Sequence, residues 1–228
     1  MNIQKRLCIA ALYTAMLIIG GCTPPRNAPE KSIGAKNFVC VMQDPHHATH
    51  YFITPKAPVS YITDLDFNNP QDVAFAEELV TTALELSRIH ENADFRLRMN
   101  HKNGHLITTV SLYPASSCKP TSTCPFCPPR HLRGAIIAEN ATMLAFEIST
   151  PAQNPIHFLI IPKQHIVNYE DPAFTPQIFV QQLAMAQQFA RQLTDPTAID
   201  LHVNNGANAK QTVCHSHMHF KSTAQWKK

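Results

Sequence analysis

The sequence predicts a mixed fold of strands and helices built from two similar halves. Three observations lead to this prediction: a strand, an amphipathic helix and a second strand follow one another twice, the matching strands align without gaps, and a proline-rich break separates the copies. With 228 residues, of which 44% are hydrophobic, the chain is long enough to bury a substantial core.

The first strand of each half carries the clearest likeness. The segment "HYFITPKAPVSYITD" begins at His50 and "HFLIIPKQHIVNYED" begins at His157, so that histidine, proline, lysine and the final aspartate coincide. The later strands, "FRLRMNHKNG" and "IDLHVNNG", share an asparagine, Asn100 in the first and Asn204 in the second. We interpret this as an internal duplication, with convergence of common strand and helix patterning as the alternative.

Between the two strands of each half lies a segment with helical spacing of apolar residues. These segments, "NPQDVAFAEELVTTALELSRIH" and "TPQIFVQQLAMAQQFARQL", begin with an N-cap candidate, Asn69 or Thr175, followed by proline at the first helical position. The sequence therefore predicts one amphipathic helix in each half.

The first 22 residues have the pattern of an export signal. Lys5 and Arg6 precede an apolar run ending in "IGGC", which resembles the lipobox of bacterial lipoproteins, whose cysteine, here Cys22, is lipidated. A plain secretory signal or a non-signal apolar N-terminus is the alternative. We expect a linker over residues 23–36 and a periplasm-facing lipoprotein of the outer membrane, attached by the lipid alone. A net charge of +3 with 15% charged residues gives no basic stripe for nucleic acid.

The proline-rich break covers residues 113–130, "YPASSCKPTSTCPFCPPR", and divides the remaining chain into two segments, 37–115 and 116–228. The first segment ends in the alternating strand "GHLITTVSLYP", whereas the second ends in "QTVCHSHMHF". Only the second segment carries the closely spaced histidines, so the first is expected to be a degenerate copy.

The histidine segment is predicted to be a strand over residues 213–220. Alternation would place His215, His217 and His219 on one face, and Cys214, Ser216 and Met218 on the other. Three imidazoles in a row cannot be packed cheaply in an apolar core, because each ring needs partners for both nitrogens. They are therefore expected to face a ligand, a metal or water.

Several landmarks around these histidines occur together and in a characteristic order. Over residues 124–220 the chain carries "CPFC", "AEN", "LAFEIS", "PIHFLIIPKQH", "VNNG", "QT" and "HSHMHF". With them the chain resembles the histidine-triad (HIT) family of nucleotide hydrolases and transferases. The resemblance implies an α+β fold with a central antiparallel sheet, normally a homodimer whose two sheets join. Two tandem HIT-like repeats could meet this requirement within one chain, as an intramolecular pseudo-dimer that is a monomer with one active site.

The resemblance also implies the catalytic residues. His217 corresponds to the nucleophile that attacks the α-phosphorus of a nucleotide and forms a nucleotidyl-histidine intermediate. Neutral imidazole is a good nucleophile near pH 7 and divides the reaction into two easier steps. His219 and the hydroxyl of Thr212 correspond to hydrogen-bond donors that stabilise the developing charge on the phosphate.

Three further residues are implied to bind the substrate. Asn204 matches the asparagine near the phosphate, and His157 matches the motif histidine before the "IIPK" strand. Glu147 stands near the position of an acidic residue that binds the ribose hydroxyls, where the family more often has aspartate. Some members build substrate contacts from C-terminal residues, which would place Trp226 at the rim of the site.

A structural zinc ion is the cofactor that the resemblance implies. Family members with "CPFC" bind zinc through its two cysteines, here Cys124 and Cys127, the histidine after "IPK", here His165, and the first histidine of the triad, here His215. This is a closed tetrahedral set, typical of a structural site. A disulfide between Cys124 and Cys127 is the alternative in an oxidising compartment. Cys40 and Cys118 bracket the first half and could pair with each other.

The leading functional prediction is a nucleotidyl hydrolase or transferase that cleaves a phosphoramidate, a dinucleotide or a similar nucleotide conjugate at its α-phosphate. The first alternative is a non-enzymatic, lipid-tethered protein that binds a metal or a nucleotide. The second is a metallohydrolase whose three ligands are His215, His217 and His219. Alternate positions along one strand are poorly placed for this, because three ligands must converge on a metal about 2 Å from each nitrogen.

Overall fold

The computed structural model describes residues 36–57, 59–102, 104–118, 124–128, 132, 134–148 and 156–227. The predicted signal peptide with Cys22, and the predicted linker apart from Lys36, lie outside these residues. Among the helices described, none is both long and apolar enough to cross a membrane.

Nine antiparallel strands form one sheet in the described part of the chain. They are β1 (Val39–Asp44), β2 (His47–Pro55), β3 (Asp94–Lys102), β4 (His105–Tyr113), β5 (Ile136–Glu139), β6 (Met143–Glu147), β7 (Ile156–Pro162), β8 (Ile199–Asn205) and β9 (Met218–Ser222). From one edge to the other the order is β1, β2, β4, β3, β8, β9, β7, β6, β5. The expected central antiparallel sheet and α+β class are confirmed.

Both predicted helices begin where the sequence places them. These are α1 (Pro70–Ile89) and α2 (Pro176–Ala190), each with proline in its first turn. The side chain of Asn69 accepts a hydrogen bond from the backbone N–H of Gln71 at 3.0 Å, which satisfies one of the free donors of the first turn. Thr175 occupies the N-cap position of α2, but its side chain makes no capping hydrogen bond.

The two helices contact each other and pack against one face of the sheet. Phe220 on β9 is fully buried there, stacked on Phe158 of β7 with ring centroids 4.5 Å apart, and Phe189 of α2 contacts both rings. Truncating a buried phenylalanine of this kind costs about 3–5 kcal/mol. Because Phe220 follows His219 directly, this packing fixes the histidine on the opposite face of the strand.

The two halves join at β3 and β8. Leu97 lies opposite Val203 and Met99 opposite Leu201, so the pairing is centred on Arg98 and His202. On either side of this join the strands follow in mirrored order, β3, β4, β2, β1 in the first half and β8, β9, β7, β6 in the second. The face of the sheet that the helices do not cover is therefore continuous from one half to the other.

Candidate functional site

The histidine segment is only partly a strand, so the prediction for residues 213–220 is wrong at its beginning. Strand β9 starts at Met218, and the chain bends before it. The N–H of His215 donates to the carbonyl of Val213 at 2.8 Å, and the N–H of Ser216 donates to the carbonyl of Ile166 at 2.6 Å. His215 and His217 therefore both precede the strand, and of the three histidines His219 is the one that lies within β9.

Two long-range connections account for this bend. Cys214 forms a disulfide with Cys118, with 5.7 Å between their Cα atoms, so the possible pairing of Cys118 with Cys40 is wrong. The side-chain amide of Gln211 donates to the carbonyl of Val167 at 2.6 Å, which holds the start of the segment. Residues tied to distant parts of the chain in this way cannot also follow the regular pairing of a strand.

His217 is buried, with 4% of its surface exposed. Its Nδ1 lies 2.7 Å from the carbonyl oxygen of His215, and since a carbonyl only accepts, Nδ1–H is the donor. Burial lowers the pKa of His217, and the hydrogen bond to the His215 carbonyl opposes this only in part. The ring is therefore neutral at pH 7, and its Nε2 carries the free lone pair.

His219 is held between two other imidazoles. Its Nδ1 lies 3.0 Å from Nε2 of His157, and His202 stacks on its ring at a centroid distance of 4.4 Å. Burial, and then the charge on neighbouring His217, would lower the pKa of His219 well below its usual value. Burial, then Lys221, lowers the pKa of His157 to about 4, so both rings are neutral at physiological pH.

His202 and Asp200 were missed by the sequence predictions. Burial lowers the pKa of His202, whose Nδ1 lies 3.6 Å from Oδ1 of Asp200. Burial alone would raise the pKa of Asp200, but the nearby His202 ring and the hydrogen bonds from Arg98 hold it at about 2. The signal was available, because "IDLHVNNG" places Asp200, His202 and Asn204 on one strand face.

Asn204 lies on that face at the join of the two halves. Its Oδ1 accepts a hydrogen bond from Nε of Arg96 at 2.7 Å, and only 7% of the residue is exposed. Thr212 is exposed at the mouth of the bend. The structure therefore brings Asn204 to the histidines on a rigid strand, with Thr212 on the loop that leads to them.

A cleft of about 450 Å³ opens beside His157, a size typical of small-molecule sites. Glu147 and His157, both predicted to bind substrate, line it together with apolar side chains, among them Phe189. Trp226 also lines the cleft, as expected from its place near the C-terminus. The cleft is joined to the triad by the contact between His157 and His219.

Cys124, Cys127, His165 and His215 come together, with one ligand atom of each lying within 4.8 Å of the others. Sγ of Cys124 is 3.4 Å from Nδ1 of His215, while Sγ of Cys127 is 3.2 Å from Nδ1 of His165 and 3.7 Å from Nδ1 of His215. Tetrahedral zinc, with bonds of about 2.3 Å to sulfur and about 2 Å to nitrogen, requires sulfur-to-nitrogen distances of about 3.5 Å. The set fits zinc, and Cys124 and Cys127 are not joined by a disulfide.

His215 is oriented for such a role. Its Nε2 lies 2.8 Å from the carbonyl of Pro162 and therefore carries the hydrogen, which leaves the lone pair of Nδ1 directed at the two sulfurs. Phe126, within the C-x-x-C motif, meets the rings of His215 and His217 edge-on, at centroid distances of 5.6 and 6.0 Å. The cysteine motif and the buried histidine are thus parts of one packed unit.

Comparisons with known proteins agree with these features. Residues 130–225 match the HIT domain family. An uncharacterized HIT-like protein of Synechocystis sp. is 36% identical over 94 residues, which cover 40% of this chain and 80% of that protein.

Two solved structures resemble a larger part of the chain. A GalT-like protein from Arabidopsis thaliana superposes with a TM-score of 0.58 at 14% identity, covering 83% of this chain and 75% of its own. A uridylyltransferase mutant superposes with a TM-score of 0.60 at 13% identity, covering 92% of this chain and 85% of its own. At these identities they show the fold alone, but the shared fold extends over both halves of the sheet.

Proposed function

The chain belongs to the HIT family, and we propose that it is a nucleotidyl hydrolase or transferase in which His217 attacks the α-phosphate of a nucleotide conjugate. The observation that carries this proposal is the state of His217: a buried, neutral imidazole whose Nδ1–H is fixed on the His215 carbonyl. Because Nδ1–H of this neutral ring is hydrogen-bonded, the ring is held in one orientation and Nε2 is the nitrogen available as the nucleophile.

In the first step the lone pair of His217 Nε2 forms a bond to the α-phosphorus. The bond from phosphorus to the leaving oxygen or nitrogen breaks, and the leaving group takes its electron pair. The imidazole then carries a positive charge, which the carbonyl of His215 stabilises through Nδ1–H. In the second step water, or another acceptor in a transferase, attacks phosphorus, the nitrogen-to-phosphorus bond breaks, and the neutral ring returns.

His219, Asn204 and Thr212 are the donors to the phosphate oxygens in this proposal. If His157 donates from Nε2 to Nδ1 of His219, then Nε2–H of His219 is free to donate to phosphate. Because Oδ1 of Asn204 accepts from Arg96, its amide NH₂ points away from that contact as a donor. Such fixed donors stabilise the charge that builds up in the transition state.

The nucleoside part occupies the cleft beside His157. Glu147 is exposed at its wall and is the acceptor for the ribose hydroxyls, while Trp226 and Phe189 supply apolar surface for the base. A substrate placed here has its α-phosphate next to His219, since His157 both lines the cleft and contacts His219.

A structural zinc ion completes the site, held by Cys124, Cys127, His165 and His215. When bound, the metal fixes the bend that carries His215. The carbonyl of His215 in turn holds His217, so the ligand set supports the orientation of the nucleophile without contacting substrate.

We expect one zinc per purified chain, and a large loss of zinc in the Cys124→Ser variant because the hydroxyl is a much weaker ligand than a thiolate. Elemental analysis after dialysis measures this. His50→Ala is the matched control, since His50 lies on β2, in the other half of the sheet. Equal zinc in wild type and Cys124→Ser, or none in wild type after expression with added zinc, would refute the site.

The duplicated arrangement supports a monomer with one active site. The mirrored strand order is the one we expect if two HIT-like repeats join as a pseudo-dimer. A matching turn recurs in each half: Asp64 accepts from the N–H of Ser60, and Asp171 accepts from the N–H of Val167, at the aligned positions. The first half lacks the histidines, so it acts as the partner of the second and not as a second enzyme.

Direct detection of the intermediate tests the function. The purified protein is incubated with nucleoside phosphoramidates and dinucleotides of different bases, quenched, and examined by mass spectrometry. We expect turnover of at least one substrate and a single nucleotidyl group per chain, on the peptide that contains His217. Turnover without this adduct would refute the covalent route, and binding of nucleotide or metal without any turnover would instead favour the non-enzymatic alternative.

A further inference from the structure

The first half, although it lacks the triad, places three charged side chains beside β8. Asp94, Arg96 and Arg98 alternate along β3 and so share one face, the one that carries the histidines. Arg98 makes two hydrogen bonds to the carboxylate of Asp200, at 2.9 and 2.8 Å, which neutralises its charge. Asp94 accepts from the N–H of Asn208 at 2.7 Å and thereby holds the following loop.

Arg96 differs from these neighbours in the kind of group it contacts. In the part of the chain that the structure describes, Arg96 donates to two neutral acceptors: Oδ1 of Asn204 at 2.7 Å and the carbonyl of Ala209 at 3.4 Å. A guanidinium is charged at any physiological pH and has five N–H donors. Arg96 therefore keeps its full positive charge and has donors left for an anion.

The strand order places the charge of Arg96 on the far side of the triad from the cleft. The sheet runs from β6 with Glu147 and β7 with His157, past β9 with His219, to β8 with Asn204 and β3 with Arg96. Neighbouring strands lie about 4.8 Å apart. In strand order, the strands that carry Glu147 and His157 and the strand that carries Arg96 thus lie on opposite sides of β9. A substrate that is bound in the cleft and attacked at the triad would have its leaving group on the side of Arg96.

The nucleophile lies next to the Asn204 and Arg96 pair. Strands β8 and β9 pair Val203 with Met218 at the end of their ladder, and Asn204 and His217 are the residues that directly adjoin this last pair. Arg96 pairs directly with Asn204 on the other side. A second phosphate, joined to the attacked phosphorus through one bridging oxygen, would therefore lie on the side of the guanidinium.

We infer that Arg96, supplied by the first half, binds a second phosphate on the leaving-group side, and that the substrate class is nucleotide conjugates with a pyrophosphate bridge. This inference rests on the proposed function. When Nε2 of His217 bonds to the α-phosphorus, the bond to the bridging oxygen breaks and that oxygen departs with the second phosphate, gaining negative charge. Arg96 stabilises that charge, whereas the amine that leaves a phosphoramidate offers it nothing to bind.

The experiment compares two substrates of one base, P1,P2-diadenosine diphosphate and adenosine 5′-phosphoramidate, with wild type, Arg96→Gln and Arg96→Lys. Arg96→Gln is expected to lower kcat/KM for the diphosphate by about 100-fold, the effect of losing one transition-state donor, and for the phosphoramidate by less than about 3-fold. Arg96→Lys keeps the positive charge but loses the planar guanidinium that can bind phosphate through two donors. Its kcat/KM for the diphosphate is therefore expected to fall less, by about 10-fold. Arg88→Gln, on the exposed side of α1, is the matched control and should change neither substrate.

The outcomes separate this inference from the proposed function. Equal losses on both substrates would show that Arg96 only orients Asn204, and would overturn the inference. A wild type that uses the phosphoramidate but not the diphosphate would also overturn the inference, but it would leave the proposed function standing. A wild type inactive on both would refute the two together, and if Arg96→Gln fails to fold, the selective loss in Arg96→Lys decides.

Discussion

Alanine in place of His217 is expected to lower turnover by about 10⁴-fold or more, the scale of loss seen when a covalent nucleophile is removed. We expect neither neighbouring triad histidine to replace it, because Nδ1 of His219 is in contact with His157 and His215 lies in the cluster with Cys124, Cys127 and His165. Initial rates on the preferred substrate measure the effect. Zinc content should stay near wild type because the four candidate ligands are untouched, and the variant should still unfold cooperatively, at a temperature lowered by the loss of a buried ring.

His217→Gly makes the same prediction more specific. Glycine leaves a space in which free imidazole can take the place of the missing ring, so added imidazole should restore part of the lost activity in this variant. His47→Ala, at an exposed position of β2, is the control for loss of a histidine as such. Full activity in His217→Ala, or no recovery by imidazole in a folded His217→Gly variant, would contradict the assigned nucleophile.

The elements of the fold could be predicted where local sequence decides them. The helices begin at Asn69 and Thr175 because a capping residue followed by proline is a local signal, and β4 was evident from its alternation. The prediction for residues 213–220 was wrong because alternation is outweighed there by Cys118, which lies 96 residues away from Cys214. A pairing over such a distance has no signature in the sequence between the two cysteines.

In the candidate site, too, local sequence patterns could be predicted and contacts between distant residues could not. His157, Asn204 and His219 lie on strands of the second half, and Cys124, Cys127, His165 and His215 cluster together, as the family resemblance implies. Thr212 lies on the preceding loop and Glu147 in the cleft wall. Arg96 could not be predicted, since its contact with Asn204 exists only after β3 pairs with β8. His202 was accessible from the alternation of β8, but only its stacking on His219 shows why a histidine is needed there.

The disulfide between Cys118 and Cys214 is expected to be the largest single contribution to stability outside the core. Its cysteines are 96 residues apart, and for a loop of that length the loss of chain entropy in the unfolded state gives about 4.7 kcal/mol. The double variant Cys118→Ser with Cys214→Ser, which leaves no odd thiol, should therefore unfold in urea with a free energy lower by about that amount. Ser117→Ala, at the exposed neighbouring position, is the matched control and should change it by less than about 0.5 kcal/mol.

The same double variant should also lose activity in proportion to how far the bend loosens. Cys214 precedes His215, whose carbonyl fixes His217, so releasing Cys214 frees the residue that orients the nucleophile. We expect kcat to fall while zinc, held by its own four ligands, remains bound. An unchanged kcat would show that zinc alone holds the bend, and an unchanged free energy of unfolding would show that the unfolded chain gains little freedom when this bridge is absent.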